Sequence, residues 1–151
     1  MTHVIIGGFG PVGRVLADAL AGAPVTVSVI DLNRGTYERQ RRLGRSILHG
    51  DLADPETLTL AGIHRAAAFV IAAPYSEATA TACRVARSMA PGLLIVARVS
   101  HLSQAVVARE AGADSVITEE LATAKAMASS VVDALIGDSG AGRALSCEGA
   151  D

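Results

Sequence analysis

The chain is predicted to be an α/β protein: a doubly wound parallel sheet of six strands followed by a C-terminal crossover helix. Three observations predict this. Short apolar runs alternate along the chain with segments whose apolar residues recur at helical spacing. Half of the 151 residues are hydrophobic but only 3% are aromatic, so the core is built from Ala, Val, Leu and Ile. Such residues suit parallel strands covered on both faces by helices. Finally, Gly8-Phe9-Gly10-Pro11-Val12-Gly13 lies between the first apolar run and the first helical segment.

The elements follow in order. His3 to Gly7 reads as a buried first strand. Val12, Val15, Leu16, Ala19 and Leu20 recur at helical spacing, which predicts a helix from Pro11 to about Ala21, with Pro11 tolerated in its first turn. Val25 to Ile30 is the second strand, ended by Asp31. Residues 35–43 form a short exposed helix rich in arginine, and Ser46 to His49 a third strand stopped by Gly50-Asp51. Asp54 caps a helix that has Pro55 at its first position. Ala66 to Ala73 reads as the fourth strand, ended by Pro74. Ser76 caps a helix to about Met89, Leu93 to Val99 is the fifth strand, and a helix runs from Leu102 to Ala111. Ser115 to Thr118 is the sixth strand and Glu119 to Ile136 a longer helix. The expected strand order is 3-2-1-4-5-6 with right-handed crossovers. Residues 1–118 are thus expected to form one domain, 119–137 a terminal helix available for dimerisation, and 138–151 a flexible tail rich in Gly, Ala and Ser.

Composition excludes several classes. A net charge of −2 gives no general nucleic-acid footprint. Mean hydropathy is +0.40, yet no apolar run approaches the ~18 residues of a membrane span. Met1-Thr2-His3 leads straight into the first strand, so no signal peptide is expected. Two cysteines, Cys83 and Cys147, make neither a disulfide framework nor a metal set, and a reducing cytoplasmic location follows. The four histidines have no metal-binding spacing; only His49 falls near the expected pocket edge.

The glycine run carries the chemistry. Strand, glycines, helix, second strand and terminal acid stand in the order of the Rossmann-type dinucleotide fingerprint. Gly8 permits the turn out of the strand, Gly10 lets main chain approach a pyrophosphate, and Gly13 lets the helix pack closely. Phe9, Pro11 and Val12 complete the loop, and the helix N-terminus offers N–H groups and a positive dipole end to phosphates. Asp31, with Leu32 and Asn33 beyond it, falls where the fingerprint places an acid on the ribose hydroxyls. That carboxylate repels a 2′-phosphate, so NAD(H) or AMP is expected and NADP is disfavoured. The other reading of Asp31 is a turn residue capping a loop. Gly50, Asp51 and Leu52 end the third strand at the same edge; Asp51 either accepts from the adenine amino group or merely closes a turn. Ala72, Ala73 and Pro74 end the fourth strand, where small residues leave room for a ribose. Arg98 closes the fifth, facing either a phosphate or a neighbouring acid in a structural salt bridge.

Catalytic readings find few residues. A small NAD-dependent oxidoreductase with a site completed at a dimer interface is the alternative, but the Tyr/Lys pair of a short-chain reductase is missing. Tyr37 and Tyr75 are followed four positions on by Arg41 and Thr79. Ala72-Ala73-Pro74-Tyr75 echoes an amino-methyltransferase motif but has alanine where that motif needs a polar residue.

Taken together, His3 to Gly13, Val29-Ile30-Asp31, His49-Gly50-Asp51, Leu58 to Ile63, Ile95 to Arg98, Ala111 to Asp114, and Val116-Ile117 with Glu119 and Glu120 resemble one family. The chain resembles the N-terminal lobe of the RCK or KTN domain, also called TrkA-N, and most of all the cytosolic domain of Kef-type potassium efflux antiporters. The resemblance covers about residues 3–136. It implies a regulatory module that binds NAD(H), AMP or another adenine nucleotide and is not an enzyme. It implies a homodimer, often formed by exchanging the helix after the sixth strand. It also implies a partner, a membrane-embedded potassium channel or transporter, met at the inner face of the membrane. Two departures stand out. Pro11 replaces a polar residue, often Arg, that touches phosphate in many relatives, and Pro74-Tyr75-Ser76 replaces an acidic pair.

Overall fold

A computed structural model describes residues 1–136; the expected tail and Cys147 lie outside the described residues. Six parallel strands form one sheet: β1 (Thr2–Gly7), β2 (Val25–Asp31), β3 (Ile47–His49), β4 (Ala68–Ile71), β5 (Leu94–Val99) and β6 (Ser115–Thr118). Their order is β3-β2-β1-β4-β5-β6, as expected. The helices are α1 (Pro11–Leu20), α2 (Arg34–Arg42), α3 (Pro55–Leu60), α4 (Glu77–Met89), α5 (Leu102–Glu110) and α6 (Glu119–Leu135).

Alternation along β1 divides the core in two. Ile5 packs with Ile30, Leu58, Phe69 and Ile71 on one face of the sheet. Val4 and Ile6 pack with Phe9, Ala17, Val29 and Ile47 on the other. Alanines such as Ala82, Ala86 and Ala108 let α4 and α5 lie close to the strands. Cys83 belongs to this layer; burial pushes its thiol up to about 11, which leaves it a small core residue.

The fourth strand is shorter than its apolar run suggests. Its predicted first residue, Ala66, closes a 3-10 turn (Ile63–Arg65). At the other end Ala72 N and Ala73 N both donate to Gly7 O, at 2.8 and 3.0 Å. Two donors on one carbonyl end the ladder and curl the chain over the glycine turn. Apolar composition fixes neither burial nor strand length here: Ala67 is exposed, and only Phe69, Ile71 and Ala72 of this run are buried.

His3 is an unusual occupant of the first strand. Its Nε2 is 3.0 Å from Ser28 Oγ, while Nδ1 is buried without a partner among the described residues. Burial, reinforced by the charge of Arg65, lowers its pKa from 6.5. The unfolded chain then takes up a proton that the folded chain refuses. Stability is therefore full above pH 6.5 and is lost as pH falls through the lower folded value. Thermal unfolding between about pH 7.5 and about pH 5.5 is expected to show a falling Tm. That fall is expected to shrink in His3→Val, which keeps a strand-forming side chain without the titration.

Candidate functional site

The carboxyl ends of β1, β2 and β3 are tied together at one residue. Asp31 Oδ2 accepts from Phe9 N at 2.7 Å, and Oδ1 accepts from Asn33 N at 2.7 Å. The main-chain oxygen of Asp31 accepts from Gly50 N at 3.1 Å. The glycine turn is fastened a second time by Gly8 N, which donates to Ile30 O at 2.8 Å. Asp31 therefore does what a turn aspartate does, and each oxygen keeps a further lone pair for a ligand hydroxyl.

The turn itself is crowded behind and open in front. Gly8 has φ +93°, and a Cβ there would lie 2.7 Å from Ala73 N. A Cβ on Gly13 would lie 2.0 Å from Gly8 O, so α1 starts against the turn it follows. A Cβ on Gly10 would meet no atom within 4 Å. That contrast is what a main-chain phosphate cradle requires: no side chain stands between the loop and a ligand. Pro11 has no N–H, and Val12 N and Gly13 N precede the first acceptor-paired turn of the helix.

In front of the turn lies a cleft of about 730 Å³, within the size range of small-ligand sites. It runs along the sheet edge past Asp31, Leu32, Asn33 and Asp51 on one side. On the other it passes Ala72, Ala73, Pro74 and Arg98, with Leu52 also in its wall. This is the crevice where the strand order reverses, between β1 and β4. Among the predicted residues, Val12, Gly13 and Gly50 do not line it. Gly13 and Gly50 serve the turn from behind, as close contact and donor, and Val12 is an exposed residue of α1. Phe9 lines the cleft but is only 2% exposed, so its ring anchors the loop in the core. Asp51 closes a turn by accepting from Ala53 N at 2.8 Å. His49 bonds Leu32 O at 3.0 Å and tilts against Tyr37, outside the lining. Arg98 is ion-paired with Glu119, and its Nη1 donates to Ala72 O at 2.9 Å. Arg98 thus lines the cleft and is held by an acid in a salt bridge, the second of its two sequence readings.

Four polar lining residues, Arg14, Thr36, Ser76 and Thr79, are not among those the sequence singles out as site residues. Arg14 is one turn into α1, its side chain leaning back over the loop, with Nε 3.3 Å from Phe9 O and the guanidinium 5.8 Å from the Phe9 ring. Helical spacing from Pro11 was the available signal. Thr36 enters at the start of α2, whose N-cap Asn33 accepts from Thr36 N at 2.9 Å. Ser76 and Thr79 enter at the start of α4, where Ser76 N donates to Thr79 Oγ1 at 3.1 Å. The described residues contain no group of three or more His, Cys, Asp or Glu placed to hold a metal ion.

A doubly wound sheet with an open glycine turn, an acid closing the second strand and a cleft at the switch point defines a Rossmann-type nucleotide-binding domain. A family model, the TrkA-N domain, matches residues 4–119. The chain belongs to the TrkA-N family. It is 31% identical over 137 residues to K(+) efflux antiporter 3, chloroplastic, of Arabidopsis thaliana, a match covering 85% of this chain and 18% of the antiporter. It spans about a fifth of the length of the curated antiporters it matches. The TrkA-N domain of the Escherichia coli inner membrane protein ybaL superposes with a TM-score of 0.81 at 25% identity, covering 86% of this chain and 96% of that one. The AMP-bound Kef C-terminal domain of Shewanella denitrificans superposes with a TM-score of 0.76 at 25% identity, covering 91% of this chain and 83% of that one.

Proposed function

We propose that this chain is a regulatory adenine-nucleotide sensor of potassium transport, acting from the cytoplasmic face of a membrane-embedded antiporter or channel. The observation that carries the nucleotide reading is the Asp31 knot beside the open Gly10 cradle. The AMP-bound Kef domain supports it by likeness of fold and family. The potassium antiporter among the relatives supports the choice of system.

In this reading the ribose hydroxyls meet the free lone pairs of Asp31 and the phosphates lie over Gly10 and the start of α1. Arg14 supplies the cation that a side chain at position 11 cannot. The nucleotide contributes no chemistry beyond its charge and shape. It acts by binding one arrangement of the protein better than another.

The dimer of this reading uses α6. No residue of that helix is buried, and Leu121, Met127, Val131, Val132 and Leu135 are 44–74% exposed. A helix about 25 Å long with an uncovered apolar stripe has its simplest cover in the same helix of a second copy, a self-complementary two-fold contact.

Calorimetric titration with AMP, NAD, NADH, ADP, ATP and NADPH tests the proposal. Binding of AMP or NADH with NADPH weakest is expected; no heat with any of them overturns it. In Arg14→Ala, NAD and ADP are expected to lose about tenfold in affinity, while adenosine is unchanged within about twofold. Equal losses for adenosine and ADP would show that Arg14 only shapes the loop.

A further inference from the structure

The base of α6 is fastened at two points by adjacent acids. Glu120 spans to the start of α5, with Oε1 2.9 Å from His101 Nδ1 and Oε2 accepting from Leu102 N at 3.1 Å. Glu119 instead pairs with Arg98, the strand-end arginine whose side chain lines the cleft and whose Nη1 holds Ala72 O. Beyond these two acids, every residue of α6 is exposed. Few contacts besides these hold the helix to the body, so its direction is set largely at its base. One of the two fastenings is also part of the cleft wall.

We infer that Arg98 and Glu119 form the joint through which occupancy of the β4–β5 half of the cleft reaches α6. This rests on the adenine-nucleotide reading above. A guanidinium has five donors in a fixed plane, and Glu119 and Ala72 O engage only part of that fork. The Asp31 knot fixes the adenosine end of a ligand at β2. The second half of a dinucleotide therefore extends across the switch point toward Ala72, Pro74 and Arg98. Its phosphate or ribose oxygens draw the guanidinium toward the cleft, in competition with the Glu119 carboxylate. The pair loosens, the base of α6 is held by Glu120 alone, and the helix is presented differently to a second copy. A mononucleotide stops short of Arg98 and leaves the joint closed. By linkage, dimerisation must in turn change dinucleotide affinity by the same factor.

The test is sedimentation velocity of the full chain, with the self-association constant measured without ligand, with AMP and with NAD. The same three states are measured for Glu119→Gln and Glu120→Gln, with AMP affinity followed by calorimetry. For the unsubstituted chain, NAD is expected to shift the association constant about tenfold, the middle of the usual coupling range, and AMP less than about twofold. Glu119→Gln is expected to abolish the NAD shift and keep AMP affinity, while Glu120→Gln keeps the NAD shift. The Glu120 variant separates a joint from general loosening of the helix base, and circular dichroism confirms that both variants are folded. An NAD shift that survives in Glu119→Gln overturns the inference, as does one matched by AMP. A chain that binds NAD without any change in self-association, or that never associates, also overturns it. Absence of binding by either nucleotide removes the underlying reading as well, and so differs from failure of the joint alone.

Discussion

Gly13→Ala is expected to destabilise the chain by about 3 kcal/mol, a fall in Tm of roughly 10 °C, and to abolish nucleotide binding. The added methyl would lie 2.0 Å from Gly8 O. That oxygen is main chain and cannot swing away. Gly8 N is bonded to Ile30 O at 2.8 Å, and Phe9 N to Asp31 at 2.7 Å. The only relief is to move the start of α1 away from the sheet, which opens the cradle. Gly10→Ala is the control: its methyl meets no atom within 4 Å. Stability is expected to stay within about 0.5 kcal/mol of the unsubstituted chain, while affinity falls because the methyl occupies the space of a phosphate. Thermal unfolding and titration of the two variants check both halves. A Gly13→Ala protein with unchanged Tm would contradict the close packing of turn and helix.

Asp31→Ala has the second largest expected effect, and it falls on binding. The carboxylate holds Phe9 N and Asn33 N at 2.7 Å each, and hydrogen bonds to a charged group are worth about 1.5–3 kcal/mol apiece. Removing it frees the loop and removes the partner of the ribose. NADH and AMP are expected to lose about 100-fold in affinity. NADPH is expected to lose less, because its 2′-phosphate never used that contact and is no longer repelled. The gap between NADH and NADPH therefore narrows. Equal affinity of the unsubstituted chain for NADH and NADPH would contradict the role given to the acid.

What the sequence made legible is what depends on spacing. The glycine run, the apolar strands and Asp31 all report local geometry, and the strand order follows from the alternation of strands and helices together with the dinucleotide fingerprint. Ala66 to Ala73 overstates the fourth strand because alanine is apolar without committing the chain to strand or core, and Ala67 is exposed; hydrogen bonding, not hydropathy, ends β4 at Ile71. The turn role of Asp31 is legible from its residue type and place, but its partners across the fold, Phe9 N and Gly50 N, are main-chain groups without a sequence signal. Arg98 could be placed at the cleft by position, but its pairing with Glu119 depends on how β5 and β6 register side by side. Arg14 stands outside the glycine run, and its place at the cleft depends on a side chain that reaches back from the next turn of the helix over the loop.

Hydrogen exchange of the full chain with and without saturating AMP tests most directly whether the glycine cleft is the nucleotide site. Binding is expected to slow exchange in peptides covering residues 8–14 and 31–36, with β3 and α3 unchanged. Binding that protects another surface, or no protection at these two segments at saturation, would contradict the assignment.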